Sequence, residues 1–260
     1  MKKALIGFTG FVGTTLMKQT QFDAFYRSTN IEDIKGKKFD VIVCAGAPAQ
    51  KWLANADPQG DRNKIDSLIN CLDNVECDHF ILISTVDVFK KPDAVDENTV
   101  IDEDNLHAYG LNRYHLEKFV AQKFPRHLIV RLPGLVGPGL RKNIIYDFLH
   151  ENNIDKIESR NVFQFYPMVN LWFDIVKAIE NNIQLIHLTS APVSVADIAK
   201  QGFGNDFSNE LSSPVISYDM RSIYAPLFGG SHKYQYSVSE TIQAVRHYAQ
   251  SEMNNHQDGN

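Results

Sequence analysis

The sequence predicts an α/β protein with a doubly wound parallel sheet and a small C-terminal lobe. Short apolar runs that do not alternate with polar residues, such as Lys3–Ile6 and His127–Leu132, are typical of strands buried on both faces. Segments with helical spacing, such as residues 62–72, separate these runs. A glycine-rich turn directly follows the first run, at the position where sheets of this class bind a ligand.

The glycine turn joins the strand Lys3–Ile6 to a helix that we expect to begin near Thr14. Two residues separate successive glycines. The first glycine permits a tight bend, the second lets the backbone approach a pyrophosphate, and the third lets the helix pack against the strand. The phosphate then faces the N–H groups at the helix start. We therefore predict a Rossmann-type dinucleotide site rather than a simple turn, with these contacts: Gly7, Gly10, Phe11, Val12 and Gly13.

The ends of the next strands supply further candidate cofactor contacts. The second strand, Ala24–Tyr26, ends at Arg27 and Ser28. An acidic residue there would bind a ribose 2′-hydroxyl, whereas an arginine accommodates a 2′-phosphate. Arg27 and Ser28 therefore favour NADP, with NAD as the alternative, unless Arg27 is a solvated charge. The strand at 40–44 ends in small residues that leave room for a ligand: Ala45, Gly46 and Ala47.

The remaining segments set the predicted domain organisation. A strand at 79–85 precedes a polar, acidic loop at 90–105, a helix at 109–124 and the strand His127–Leu132. Beyond Leu140 the pattern loosens into shorter helices. We predict a dinucleotide-binding core at 1–139 and a substrate-binding lobe, mainly at 140–251, from which a strand at 184–188 returns to the core sheet. Polar residues 252–260 are expected to be disordered.

Composition excludes several classes of protein. A formal net charge of −5 and a pI near 6.0 give no electrostatic footprint for nucleic acid or an anionic membrane surface. No apolar run approaches the ~20 residues that a membrane span needs, and the N-terminus lacks a signal-peptide pattern. We expect a cytoplasmic protein. Three cysteines without metal-ligand spacing are interpreted as reduced packing residues, and we expect no metal site.

Taken together, these segments resemble the extended short-chain dehydrogenase/reductase family, which contains nucleotide-sugar epimerases, dehydratases and 4-keto-sugar reductases. The resemblance covers most of the chain. It depends on the order of the glycine turn, residues 83–89, residues 109–113 with Glu117, and residues 131–139. Ser84 and Thr85, with Val88 and Phe89, look most like the dTDP-4-dehydrorhamnose reductase branch.

The resemblance implies catalytic roles for Thr85, Tyr109 and Arg113. Thr85 would hydrogen-bond the reacting oxygen of the substrate, and Tyr109 would exchange a proton with it. A phenol with a pKa near ~10 needs a neighbouring cation to ionise. The family has a lysine four residues after the tyrosine, whereas this chain has Arg113, which supplies charge but cannot act in a proton relay. Tyr114 and Lys118 repeat the family spacing but face elsewhere on the helix.

Other positions matched to the family are weaker candidates. Asn63 would contact the cofactor at the start of a helix, and Leu132 and Gly134 would line the nicotinamide pocket unless they only end a strand. Candidate substrate contacts occupy positions that the family uses for catalysis or phosphate binding, and Arg221 could clamp a diphosphate with both arms of its fork. These candidates are Asp87, which could instead cap the loop, and Lys142, Asn143 and Arg221.

The resemblance implies an NAD(P)-dependent oxidoreductase that acts on a nucleotide-activated sugar and reduces a 4-keto group. One alternative is a nucleotide-sugar epimerase that retains its NAD. Another is a non-catalytic NAD(P)-binding regulatory protein that has lost the family lysine. Relatives commonly pair two helices of each subunit, so we also expect a homodimer through helices 62–72 and 109–124.

Overall fold

The chain is described by a computed structural model that covers residues 1–230 and 233–257. The strands, in chain order, are β1 (Lys3–Ile6), β2 (Ala24–Tyr26), β3 (Lys38–Cys44), β4 (Glu76–Thr85), β5 (His127–Leu132), β6 (Gly134–Val136), β7 (Val162–Phe163), β8 (Phe165–Pro167), β9 (Leu185–His187) and β10 (Val193–Ser194). The helices are α1 (Phe11–Gln19), α2 (Lys51–Ala56), α3 (Pro58–Leu72), α4 (Ala108–Lys123), α5 (Ile144–Leu149), α6 (Leu171–Glu180), α7 (Val195–Asp197) and α8 (Val238–Gln257).

The main sheet has six strands in the order β2-β1-β3-β4-β5-β9. β1 pairs in parallel with both β2 and β3, and β3 pairs in parallel with β4. The chain therefore goes from β1 to β2 on one side and then crosses to β3 on the other. In a doubly wound sheet the crevice beyond the carboxyl ends of the strands at such a reversal is where ligands bind. The predicted doubly wound Rossmann-type fold is confirmed, and the crevice lies after β1 and β3.

The core of this sheet is continuous and apolar. Ile42, Phe80 and Leu82 are buried between the strands and the inner faces of α3 and α4, to which α4 contributes Leu116 and Val120. The strands do not alternate polar with apolar residues as a half-exposed strand does, because both of their faces are buried. This packing fixes α4, which carries two of the candidate catalytic residues.

The helical region after β3 is longer than the sequence predicts. Asp57 caps α3 by accepting a hydrogen bond from the Gly60 N–H at 3.0 Å, and Pro58 occupies the first turn, where no N–H is needed. The preceding helix α2 gave no apolar periodicity, since Ala54 is its one buried residue and Trp52 is 71 % exposed. The prediction of a helix at 62–72 therefore found only the end of the segment that packs on the core.

The described chain forms two compact units. The first contains residues 1–90, 99–131 and 172–186, and the second contains residues 91–98, 132–171 and those from 187 onward. The predicted division after residue 139 differs in three places. Residues 132–139 leave the main sheet because β6 pairs with β8. Residues 91–98 join the second unit through Val95, which bridges Met220. Helix α6 joins the first unit, where the Trp172 N–H donates to Gln19.

The C-terminal helix extends into the stretch that the sequence analysis expected to be disordered. Helix α8 continues to Gln257, and the Glu252 carboxylate accepts a hydrogen bond from the Gly139 N–H at 2.9 Å. Neither glycine nor proline interrupts residues 252–257. The rest of the predicted tail, 258–260, lies outside the described residues. Within the described chain, no helix is long and apolar enough to cross a membrane.

Candidate active site

The turn between β1 and α1 is shaped by glycines that a side chain would obstruct. Gly7 has a φ of +84°, and a Cβ there would lie 2.3 Å from the Ala45 carbonyl oxygen. A Cβ at Gly13 would lie 2.2 Å from the carbonyl oxygen of Gly7, so α1 packs directly on the turn. Gly10 is the N-cap of α1, and its position would allow a Cβ at an ordinary 3.5 Å contact. The turn thus presents the backbone N–H groups of a helix start, a favourable site for an anion.

A cleft of about 790 Å³ opens at this turn, entirely within the first unit. Most of the predicted cofactor contacts line it: Gly7, Gly10, Arg27, Ser28, Ala45, Gly46, Ala47 and Asn63. Residues that the sequence analysis missed also line it, chiefly Thr9, Thr29, Pro48, Lys64 and Ser67. Lys64 and Ser67 lie on α3 with Asn63, and their place opposite the glycine turn depends on the crossover, which no local pattern reveals.

The other predicted cofactor contacts do not line the cleft. Phe11, Val12 and Gly13 form the first turn of α1 below it. Leu132 and Gly134 lie in the second unit. A Cβ at Gly134 would lie 2.7 Å from the Gln164 carbonyl oxygen, so the close pairing of β6 with β8 already explains this glycine.

Arg27 lies at the exposed rim of the cleft. Its Nε donates to the Thr29 hydroxyl at 3.0 Å, and its backbone N–H donates to the Asn30 side chain at 2.7 Å. The guanidinium carbon lies 6.0 Å from the ring centroid of Phe8. Arg27 also lines the cleft, where its planar guanidinium is a suitable donor to a doubly charged phosphate.

Tyr109 and Arg113 are in direct contact on α4. The guanidinium carbon of Arg113 lies 3.9 Å from the ring centroid of Tyr109, and both side chains are buried, with 3 % of Arg113 and 9 % of Tyr109 exposed. One helical turn separates the two positions, which places them on the same face. The arginine therefore covers the face of the phenol ring.

The charge of Arg113 is already paired. Nη2 donates to Asp61 Oδ1 at 3.0 Å, Nη1 donates to Asp61 Oδ2, and Nη2 also donates to the Pro48 carbonyl. Asp61 is 5 % exposed and accepts a further bond from Asn112 at 2.8 Å. Sequence analysis missed Asp61, which is 52 positions from Arg113 and has no motif of its own. This arrangement is a buried forked ion pair that joins α3 to α4.

Burial raises the pKa of the Tyr109 phenol. The positive charges of Arg113 and Lys51 oppose this shift, and the carboxylates of Asp87 and Asp61 add to it. The phenol therefore keeps its proton at neutral pH, and the site holds a proton donor rather than a ready base.

Thr85 ends β4, at the edge where the carboxyl ends of the strands meet. Its hydroxyl oxygen accepts a bond from the Asp87 N–H at 3.1 Å and thereby caps a short turn. The Thr85 oxygen and Asp87 Oδ2 are 3.4 Å apart, which is long for a hydroxyl donor and leaves the proton able to turn to another acceptor. Asp87 accepts a bond from the Lys51 ammonium at 2.7 Å, a contact that the sequence analysis did not predict.

Two further residues fix the start of α4. The Asn55 side chain of α2 accepts a hydrogen bond from the Tyr109 N–H at 3.0 Å. His107 is the N-cap, and its Nδ1 accepts a bond from the Gly110 N–H at 3.0 Å. Burial lowers the pKa of His107, and the charge of Lys51 lowers it further, so His107 is neutral at pH 7. It is a half-buried cap of α4.

The predicted substrate contacts Lys142, Asn143 and Arg221 lie in the second unit. Asn143 caps α5 by accepting a bond from the Ile145 N–H at 2.9 Å. The Arg221 guanidinium makes a bidentate contact with the Asp219 carboxylate, and its Nε lies 3.1 Å from Oδ1. Lys142 is exposed. Asp87, the fourth such candidate, lies in the first unit beside Thr85.

Comparison with proteins of known structure identifies the same fold. A dTDP-4-dehydrorhamnose reductase from Clostridium acetobutylicum superposes with a TM-score of 0.76 at 18% identity, over 97% of this chain and 100% of its own. The chain has the fold of this reductase. A protein abbreviated RMD from Pseudomonas aeruginosa, in complex with NADPH, gives a TM-score of 0.72 at 12% identity over 97% of this chain and 100% of its own.

A third similar structure is a UDP-glucuronic acid 4-epimerase from Bacillus cereus, in complex with NAD. Its TM-score is 0.68 at 18% identity, over 96% of this chain and 97% of its own. No protein-family model matches the chain, and neither does any curated protein sequence. At sequence identities this low, the structural similarity establishes the fold alone.

Proposed function

We propose that the protein is an NADP-dependent oxidoreductase of the extended short-chain dehydrogenase/reductase family that reduces the 4-keto group of a nucleotide-activated sugar. The observation that carries this proposal is the burial of Tyr109, which raises the pKa of its phenol, on the same unit as the glycine-turn cleft. The fold shared with a dTDP-4-dehydrorhamnose reductase supports the substrate class.

The residues of the cleft fit a dinucleotide. A Cβ at Gly7, Gly13 or Gly46 would lie under 3.0 Å from neighbouring atoms, so the chain keeps a close backbone approach where a pyrophosphate would meet the N-terminus of α1. Arg27 and Lys64 put two cations on the lining, and none of the described lining residues is acidic. This charge favours a 2′-phosphate and hence NADP over NAD. Bound NADPH would supply the hydride.

The chain's own residues would supply the proton. Reduction of a ketone places negative charge on the carbonyl oxygen, which a nearby O–H donor stabilises and then protonates. Tyr109 holds such a proton because burial raises its pKa. Thr85 would donate a hydrogen bond to the same oxygen and keep its own proton. An epimerase must first remove a proton from an alcohol, which requires the phenolate form of Tyr109. A raised pKa leaves less phenolate at neutral pH, which favours the reductase.

One observation favours a second candidate, a non-catalytic NAD(P)-binding regulatory protein. The resemblance implies that the family lysine would reach a cofactor ribose. In this chain both terminal nitrogens of Arg113 bind Asp61, one of them also binds the Pro48 carbonyl, and the buried Nε has no hydrogen-bond partner among the described residues. A protein that only senses the cofactor could retain the cleft and dispense with this lysine.

Lys142 and Arg221 of the second unit would bind the substrate. A sugar-nucleotide diphosphate would compete with Asp219 for the Arg221 fork. Asn143 is committed to capping α5, so its backbone rather than its side chain is the more suitable contact. Asp87 is a separate candidate contact in the first unit, where its carboxylate lies beside Thr85.

The test is a titration of the purified protein with NADPH and with NADH, with and without 4-keto dTDP- and UDP-sugars, while the absorbance of reduced nicotinamide is followed. NADPH oxidation that depends on the sugar and is abolished in Tyr109→Phe supports the reductase. Tyr114→Phe is the matched control on the same helix, since Tyr114 contacts Lys118 instead of the site. NAD that copurifies indicates the epimerase, and tight NADPH binding without turnover indicates the regulatory protein.

Two further parts of the proposal concern assembly and location. We propose a homodimer through the outer faces of α3 and α4, which sedimentation equilibrium would test. We also propose a cytoplasmic location, where NADPH and sugar nucleotides are available, and cell fractionation would test it.

A further inference from the structure

The structure shows two cations near Tyr109, and their surroundings differ. Arg113 is almost fully buried and bound by Asp61 through both terminal nitrogens. A guanidinium in this position keeps its orientation, because any movement would leave a buried carboxylate without its partner. Lys51 is 40 % exposed at the side chain and makes a 2.7 Å contact with Asp87. Its ammonium is a compact charge on a flexible stem.

The placement of Lys51 follows from helix α2. Lys51 and Asn55 are four residues apart and share one face of that helix. Asn55 binds the Tyr109 N–H, so this face is turned to the first turn of α4, against which α2 packs. Asp87, which binds Lys51, lies at the same turn, since a Cβ at Gly110 would be 2.0 Å from the Asp87 carbonyl oxygen.

The charged groups around the phenol form two pairs from four elements. Arg113 of α4 pairs with Asp61 of α3, and Lys51 of α2 pairs with Asp87 of the turn after β4. His107, whose ring centroid is 6.4 Å from that of Tyr109, is neutral at pH 7. The Arg113–Asp61 pair is buried and is held through both terminal nitrogens of the arginine. The Lys51–Asp87 pair is partly exposed.

We propose that Lys51, held by Asp87, is a positioning residue that supplies an exposed, adjustable positive charge for Tyr109, beside the fixed charge of the buried Arg113. The inference rests on the proposed function, because it assigns the role of the missing family lysine to a residue from a different helix. Sequence spacing could not reveal it, since Lys51 is 58 positions before Tyr109 by their numbers.

The proposal is tested on the phenol itself, in the full chain without cofactor or sugar. Protein labelled with 3-fluorotyrosine, whose phenols ionise at lower pH than tyrosine, is titrated by fluorine NMR, and the Tyr109 resonance is assigned with Tyr109→Phe. In Lys51→Met the midpoint should rise by roughly one pH unit, since a cation is lost and Asp87 is left uncompensated. In Asp87→Asn it should fall, and in Lys51→Arg it should stay near that of the parent protein.

Lys118→Met is the matched control, with the same change in net charge. Lys118 lies 4.9 Å from the Tyr114 ring centroid, so its loss should move the Tyr114 resonance and leave that of Tyr109 unchanged. A purely structural role for Lys51 would not give opposite shifts in Lys51→Met and Asp87→Asn. An unchanged Tyr109 midpoint in folded Lys51→Met overturns the inference. Absence of any sugar-dependent NADPH oxidation would instead overturn the proposed function, since the titration needs no substrate.

Discussion

Arg113 covers the ring of Tyr109 at 3.9 Å from its centroid while Asp61 holds both terminal nitrogens of the same guanidinium. The sequence resemblance implied that the residue four positions after the tyrosine would tune the phenol and contact the cofactor ribose. In the structure this residue joins α3 to α4 instead. The arginine and its aspartate therefore act as one unit, and replacing either one alone should lower stability as well as alter the site.

Arg113→Lys should lower stability rather than restore a family active site. A lysine keeps the charge but cannot reproduce the fork on Asp61 together with the bond to Pro48. Loss of charged hydrogen bonds in a buried position should cost about 2 kcal/mol of the free energy of unfolding, measured by denaturant titration. Arg62→Lys is the control, because the exposed Arg62–Asp66 pair contributes at most ~0.5 kcal/mol.

Removal of one partner should be worse than removal of both. Asp61→Leu leaves a buried guanidinium without its carboxylate and should cost about 3–5 kcal/mol, as should Arg113→Met for the opposite charge, whereas the two changes combined should cost less than either alone. Equal or additive losses in this double-mutant cycle would mean that the two side chains contribute independently.

The pH dependence of stability should report the buried phenol. The pKa of Tyr109 is raised in the folded protein, so above about pH 10 the unfolded chain loses a proton that the native state retains. The free energy of unfolding should therefore fall as pH rises from there through the folded pKa. Tyr109→Phe should remove this contribution, and denaturant titrations of both proteins over that range measure the difference. If the parent protein and Tyr109→Phe show the same pH dependence, burial does not raise the pKa of Tyr109 in the folded protein.

The fold could be predicted because its signals are local. Apolar strands and the glycine turn each reveal themselves within a few residues, and their order gives the topology. Helix α2 gave no such signal, because its exposed Trp52 and Leu53 break the expected periodicity. The boundary between the units also depends on pairings such as Val95 with Met220, which no local pattern predicts.

The site was predictable only in part for the same reason. The glycines and Tyr109 occupy motif positions, whereas Asp61 and Lys51 reach the site through the packing of α2 and α3 against α4. Their residue types are common on helix surfaces, so the sequence did not distinguish them from solvated charges. Asn143 is the opposite case: it stands at a position matched to the family motif, but its side chain caps α5.

Two glycines of the turn should respond differently to alanine. At Gly13 a Cβ would lie 2.2 Å from a backbone oxygen that cannot yield, so Gly13→Ala should cost about 1–3 kcal/mol of stability. At Gly10 the nearest atom is at 3.5 Å, so Gly10→Ala should cost less than about 1 kcal/mol, the usual penalty at an N-cap.

The same pair of variants separates folding from cofactor binding. Gly10 lines the cleft, so a methyl group there should weaken NADPH binding in a protein that is still stable. Calorimetric titration with NADPH beside thermal unfolding measures both effects. Unchanged NADPH affinity in Gly10→Ala would argue against a pyrophosphate at this turn.

Arg27 should decide between the two cofactors. If its guanidinium binds a 2′-phosphate, Arg27→Ala loses a charge-assisted interaction of about 2 kcal/mol, which weakens NADPH binding roughly thirtyfold. NADH has no such phosphate, so its affinity should change little. Lys18→Ala is the control, since Lys18 is an exposed cation near the end of α1 and does not line the cleft. Equal losses for both cofactors would place Arg27 against a part that they share. Unchanged affinity for both would leave Lys64 as the cation on the lining to replace next.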